Sequence, residues 1–178
     1  MARRELTGVL LVGGASTRFG SPKAVARLGG ETLAERGWGL LGEVCGERLA
    51  VGKLADGLSF PFPVLDDGSE VRAPLAGLVA GLRAASHEVA VVLPVDTPHV
   101  TPELLAELAE ACVDAAVTQT GPLPGAYAKS ALPVLERRFA AGHLALREAL
   151  DELEAVIVEA EPRLLVNVNE PEDLVDVG

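Results

Sequence analysis

Short apolar, β-rich runs alternate with helix-length amphipathic segments along all 178 residues, and this alternation restricts the fold more than any other feature. Strands are expected at 7–12, 48–52, 62–66, 89–95, 114–119, 155–160 and 164–168, and helices at 31–45, 74–86, 101–112, 130–140 and 144–153. Such a pattern predicts a mostly parallel, Rossmann-like sheet with helices on both faces, a three-layer α/β/α architecture. Val89-Ala-Val-Val-Leu-Pro-Val95 is apolar at every position, as a central strand covered on both faces requires. Thr101, Pro102 and Glu103 read as an N-cap, a proline at the first helical position and a first-turn acid. No linker, repeat or low-complexity segment interrupts the chain, so one domain over 1–178 is expected.

The first strand runs directly into Leu11-Val-Gly-Gly-Ala-Ser-Thr-Arg-Phe-Gly-Ser-Pro-Lys23, after which a helical pattern is expected. A loop leaving the carboxyl end of a strand lies where open α/β sheets bind ligands. Gly13, Gly14 and Gly20 allow backbone amides to approach an anion closely, and Arg18 and Lys23 add two positive charges. The combination suits a triphosphate; the alternative is a glycine-rich turn with solvated cations. Two common phosphate loops are excluded. Lys23 sits between Pro22 and Ala24 rather than in Gly-Lys-[Ser/Thr], and Gly13-Gly14 breaks the G-x-G-x-x-G spacing.

The formal net charge of −11 argues against nucleic acid as a partner. An acidic chain that binds a polyanion must concentrate its cations locally and recruit a divalent metal. No apolar run approaches the ~20 residues of a membrane span. Met-Ala-Arg-Arg-Glu leads into the first strand without a signal-peptide core, so a cytoplasmic location is expected. Cys45 and Cys112 lie far apart without a metal-binding spacing and read as small buried thiols. His87, His99 and His143 are scattered, which argues against a histidine metal site or triad.

Further polar residues gather at the strand ends. Asp96 follows the central strand in Leu93-Pro-Val-Asp-Thr-Pro98, where a hard carboxylate suits Mg²⁺ that takes its other ligands from water and phosphate. A turn-forming Asp is the alternative. Asn167 and Asn169 are the only asparagines of the chain, and in extended backbone they face the same side. A cap needs only one of them, which leaves a site role for at least one. Asp66-Asp67-Gly68 closes a strand ahead of Pro74-Leu-Ala-Gly-Leu-Val-Ala-Gly81, whose small residues admit something flat. A carboxylate beside such a slot accepts the two N–H groups of guanine, or else the segment is an acidic loop before a tightly packed helix. Gly121-Pro-Leu-Pro-Gly-Ala-Tyr-Ala128 reads as a turn with a short strand; Tyr127 and Trp38 read as core, and Arg147 as a surface cation.

These blocks resemble a nucleotidyltransferase of the nucleotide-diphospho-sugar transferase fold, and more closely the molybdenum cofactor guanylyltransferase family. The resemblance runs from Thr7 to Leu174. It rests on the loop 11–20 with Lys23, on Asp67 with Pro74-Leu-Ala-Gly77, on Pro94-Val-Asp-Thr-Pro98 and on Asn167-Val-Asn-Glu-Pro-Glu-Asp-Leu174. It implies GTP contacts from Leu11, Val12, Gly13, Lys23, Asp67 and Asp96, with Mg²⁺ on Asp96 and with Asn167 and Asn169 toward molybdopterin and metal. Backbone amides from Gly13 through Gly14 to Ser16, with Arg18 and Lys23, would hold the β- and γ-phosphates. Val12 stands where alanine is usual, Phe19 where methionine is usual and Ala73 where glycine is usual. Leu49-Ala-Val-Gly-Lys53 lacks the asparagine that some members place after the second strand. The implied activity is GMP transfer from GTP to the phosphate of molybdopterin, or of its molybdenum-loaded form, with release of pyrophosphate and with cofactor-delivery proteins as further partners. The rivals are a cytidylyltransferase acting on molybdopterin or a sugar or alditol phosphate, and a non-catalytic nucleotide-binding module.

Overall fold

In the computed structural model, which describes residues 5–13 and 20–174, the chain begins with β1 (Leu6–Leu11). A 3-10 turn at Lys23–Val25 follows, then a small ribbon of β2 (Arg27–Leu28) and β3 (Glu31–Thr32). Next come α1 (Leu33–Val44), β4 (Glu47–Gly52), β5 (Val64–Asp66), α2 (Pro74–Ala84) and β6 (Val89–Pro94). The remainder comprises α3 (Pro102–Ala111), β7 (Ala115–Thr118), β8 (Gly121–Ala128), α4 (Leu132–Ala140), α5 (Leu146–Ala149) and β9 (Ala155–Val158). Gly14, Ser16, Arg18 and Phe19 lie outside the described residues.

Seven strands form one sheet in the order β5-β4-β1-β6-β8-β7-β9. β1 pairs in parallel with β4 and β6, β4 with β5, and β7 with β9, while β8 runs antiparallel to β6 and β7. The expected mostly parallel α/β/α architecture is therefore present. Side-chain alternation divides the core between the two faces. Leu10, Val91 and Leu93 pack with Leu33, Leu41 and Leu104 of α1 and α3. Val9, Leu11 and Val92 pack with Leu75, Leu78 and Leu135 of α2 and α4. β6 is buried from Val89 to Leu93, in line with its apolar sequence.

Local chemistry explains where the helices start. Thr32 and Glu35 form a reciprocal cap: Thr32 Oγ1 accepts from Glu35 N–H at 3.1 Å and Glu35 Oε2 from Thr32 N–H at 2.8 Å. Thr101 Oγ1 accepts from Leu104 N–H at 3.4 Å, with Pro102 in the first turn as expected. α2 lies close on β1 because its facing positions lack side chains. A Cβ on Gly81 would stand 2.7 Å from Val9 Cγ1, and one on Gly77 would stand 2.9 Å from Leu11 Cδ2.

Four expectations need correction. Residues 164–168 are not a strand: Pro162–Leu165 forms a 3-10 turn, and Leu165 and Val168 bury themselves as covering segments. The helix expected at 144–153 is only α5 followed by a 3-10 turn at Leu150–Glu152. The helix expected after Lys23 is a single 3-10 turn, and the first helix waits for the Thr32 cap. β8 extends farther than the sequence suggests. Its glycines and prolines weaken a strand signal, yet Tyr127 is fully buried there and its hydroxyl donates to the Pro122 carbonyl at 2.6 Å. Trp38 is half-buried, stacked on Phe62 with ring centroids 4.3 Å apart.

Leu10 is fully buried between α1 and the sheet. Leu10→Ala is expected to destabilise the fold by about 2–5 kcal/mol through lost burial and the cavity left behind. Denaturant unfolding should show a lower midpoint at unchanged slope.

Candidate active site

The chain moves outward from β1 to β4 and β5, then returns to the other side of β1 for β6. That reversal opens a crevice at the carboxyl ends of β1 and β6, the usual ligand position in such sheets. A cleft of about 500 Å³ occupies it. Its floor is Leu11, Val12 and Gly13 after β1, with Pro94, Val95 and Asp96 around the end of β6. One wall carries Gly52, Lys53 and Asp67 from the ends of β4 and β5, and Ala73, Pro74 and Gly77 from the start of α2. Lys23, Leu123 and Asn169 border the other side.

Asp96 is held by its own backbone. Thr97 Oγ1 donates to the Pro94 carbonyl at 3.1 Å and closes the turn, and Val168 N–H donates to the Asp96 carbonyl at 2.8 Å. The second bond brings the distant Asn167–Asn169 segment to the strand end. Lys23 Nζ lies 3.5 Å from Asp96 Oδ2 and donates to Asn169 Oδ1 at 3.2 Å. Three residues from three separate blocks thus meet in one charged cluster. Asn167 is exposed and, unlike Asn169, does not line the cleft, so only one of the two amides reaches it. Gly14, Ser16 and Arg18 of the phosphate loop lie outside the described residues.

The donor set fits a divalent cation that keeps water and shares phosphate. Asp96 Oδ2 and Asn169 Oδ1 are hard oxygens that both lie beside the Lys23 ammonium group. Among the described residues no three His, Cys, Asp or Glu side chains cluster, so the remaining ligands would come from phosphate and water.

The opposite wall holds a second ion pair. Lys53 Nζ donates to Asp67 Oδ1 at 3.0 Å, to Oδ2 at 2.9 Å and to the Ser69 carbonyl at 2.5 Å. Both side chains are nearly buried, 10% and 7% exposed. The neighbouring Asp66 turns the other way, where Leu54 and Gly68 backbone N–H groups hold its carboxyl below the usual aspartate range. Gly68 has a φ of +70°, which lets the chain reverse immediately after Asp67. Arg72 also lines the cleft and pairs with Asp56 at 2.6 Å. Lys53, Arg72 and Leu123 were not expected as site residues. Lys53 was legible in principle, since it follows one strand as Asp67 follows the next.

The model of the MobA-like NTP transferase domain matches residues 8–158. The chain belongs to this nucleotidyltransferase family. It is 35% identical over 192 aligned residues to a probable molybdenum cofactor guanylyltransferase of Chloroflexus aggregans, covering 95% of this chain and 91% of that one. It is 33% identical to a probable molybdenum cofactor guanylyltransferase of Mycobacterium tuberculosis, covering 92% of this chain and 89% of the relative. Among solved structures it is similar to molybdopterin-guanine dinucleotide biosynthesis protein A of Archaeoglobus fulgidus, at 28% identity and a TM-score of 0.81 over 96% of this chain and 95% of that one. The fold alone is shared with 2-C-methyl-D-erythritol 4-phosphate cytidylyltransferase of Thermus thermophilus, at 23% identity and a TM-score of 0.74 over 94% of this chain and 95% of that one.

The Asn169 turn depends on an ionised carboxylate. Asp173 Oδ2 accepts from Asn169 N–H at 2.8 Å and Glu170 N–H at 2.9 Å, which holds its carboxyl below the usual aspartate range. A depressed folded value means the bonds stabilise the turn above the ordinary aspartate pKa and are lost as pH falls through the lower, folded one. An NMR titration should show the Asn169 and Glu170 amides shifting together, with a midpoint below the ordinary aspartate value. Asp173→Asn should abolish that transition.

Proposed function

We propose that this MobA-like transferase moves GMP from GTP to the terminal phosphate of molybdopterin and releases pyrophosphate. The observation that carries the reading is the Lys23–Asp96–Asn169 cluster at the switch point of the sheet, in a chain whose relatives bear guanylyltransferase names. The acceptor is a phosphate monoester whose second pKa is about 6, so it arrives already ionised. Its oxygen attacks the α-phosphorus of GTP, and the bond to the β-phosphate oxygen breaks as pyrophosphate departs. No proton must be removed from the nucleophile, and no histidine or carboxylate is assigned as a base.

The protein's contribution is positioning and charge neutralisation. Leu11, Val12 and Gly13 bring the nucleotide to the end of β1, and Lys23 meets the phosphates. Gly14, Ser16 and Arg18 complete the phosphate cradle on sequence grounds. Asp96, with Asn169, would hold Mg²⁺, which when bound offsets charge on the phosphate oxygens. Asp67 and the small residues at the start of α2 take the base. Asn169 borders the acceptor side, with Asn167 outside it. The reaction is assigned to the cytoplasm, with the molybdopterin acceptor passed on by delivery proteins.

Lys23→Ala and Asp96→Ala are each expected to lower turnover on the order of a hundredfold, the scale of removing one preorganised charge stabiliser. Pyrophosphate release with GTP, Mg²⁺ and molybdopterin measures this directly, and near-normal turnover in either variant overturns its role. A thermal-shift series with GTP, CTP, ATP and UTP should show the largest response to GTP, increased by Mg²⁺. A CTP preference would move the assignment to a cytidylyltransferase. Binding without pyrophosphate release would make the chain a non-catalytic module.

A further inference from the structure

The Lys53–Asp67 pair leaves a carboxylate with little left to offer a nucleobase. An ionised carboxylate accepts at roughly four lone-pair positions, and an ammonium donates three protons. All three Lys53 protons are accounted for by Asp67 Oδ1, Asp67 Oδ2 and the Ser69 carbonyl. Asp67 Oδ1 also accepts from Ser69 N–H at 3.0 Å, which fills it, whereas Oδ2 accepts from Lys53 alone among the described residues. Guanine presents two adjacent donors, N1–H and the 2-amino group, and a free carboxylate would meet both. Here one oxygen is saturated and the other is half used.

Resting on the proposed reading that this cleft holds a guanine nucleotide, we infer that Lys53 is a positioning residue that sets base specificity by clamping Asp67 so that it reads one N–H donor of a 6-oxopurine rather than two. Lys53 does not itself touch the base, because it has no proton to spare. The clamp makes the site tolerant of hypoxanthine, which keeps N1–H and lacks the 2-amino group. It remains selective against adenine, whose N1 is an acceptor facing a carboxylate oxygen.

Isothermal titration of the full chain with the Mg²⁺ complexes of GTP, ITP and ATP tests this without any acceptor. The wild type is expected to bind GTP and ITP with similar affinity and ATP more weakly. Lys53→Met frees Oδ2 and leaves Oδ1 with only its Ser69 N–H bond, so each oxygen can meet one guanine donor, and the GTP-to-ITP affinity ratio should rise about tenfold, the scale of one hydrogen bond to a charged acceptor. Lys53→Arg, which can hold the carboxylate through two donors, should restore the wild-type ratio. Loss of a merely structural bond would weaken all three nucleotides together and leave the ratio unmoved. Should Lys53→Met fail to fold by circular dichroism, Lys53→Gln can satisfy only one carboxylate oxygen and should raise the ratio in the same direction. An unchanged ratio in the folded variant overturns the inference, as does a wild type that already favours GTP over ITP by tenfold. In both cases GTP is still bound more tightly than ATP and the guanylyltransferase reading stands. A wild type that responds most to CTP in the thermal-shift series overturns that reading and this inference with it.

Discussion

β1 is buried along all six of its residues and hydrogen-bonded on both edges, so it has no room for a polar side chain that needs water. Its neighbours β4 and β6 are similarly dry toward their carboxyl ends. Toward those ends, charged side chains are thereby confined to the backbone that leaves the strands. Gly13 follows β1, Lys53 follows β4, Asp67 follows β5 and Asp96 follows β6. Parallel pairing then carries all four to one end of the sheet. The cleft results from a packing constraint acting on several strands at once, and α2 completes it because Gly77 and Gly81 let the helix lie against β1.

Two lysines of the cleft are paired with very different strength. Lys23 and Asp96 are 18% and 27% exposed and 3.5 Å apart, and a partly solvated pair of this kind contributes about 0–1 kcal/mol. Lys23 can exchange its partners for phosphate oxygens at little cost. Lys53 and Asp67 are nearly buried and doubly bonded, and breaking such a pair costs about 3–5 kcal/mol because a charge is left uncompensated. A nucleotide would draw Lys23 away from Asp96 long before it displaced Lys53 from Asp67. One pair is suited to hand over its charges during the reaction and the other to stay fixed as part of the wall. A protein of net charge −11 keeps both lysines within reach of a polyanion by surrounding each with oxygens it already carries.

Most of the architecture was legible because burial writes itself into strand and helix periodicity. The apolar run 89–95 became the fourth of seven strands, and the Thr101-Pro102 cap began a helix where expected. β8 was not legible in full, since Pro122, Pro124 and Gly125 argue for a turn by local preference. Pairing with β6 and β7 on both edges and the burial of Tyr127 outweigh that preference. Residues 164–168 carry the apolar alternation of a strand, yet they lie where core must be covered rather than a ladder extended. At the site, Lys23, Asp67 and Asp96 were readable from residue type and strand-end position. The occupation of Asp67 by Lys53 was not, because no spacing rule ties residues fourteen apart when a loop and a strand lie between them.

The most distant of these connections explains why the terminal block belongs to the site at all. Asn169 lies 146 residues from Lys23 with nearly the whole fold between them, so neither residue has a local reason to meet the other. Burial of Val168 supplies the energy, and its N–H on the Asp96 carbonyl supplies the register. Asp173 then fixes the turn through the Asn169 and Glu170 amides, which aims the Asn169 side chain at Lys23. Hydrophobic docking of one residue thus places an amide oxygen and a carboxylate on the same ammonium. The geometry at the centre of the cleft is set by a segment that packs against the sheet without being one of its strands.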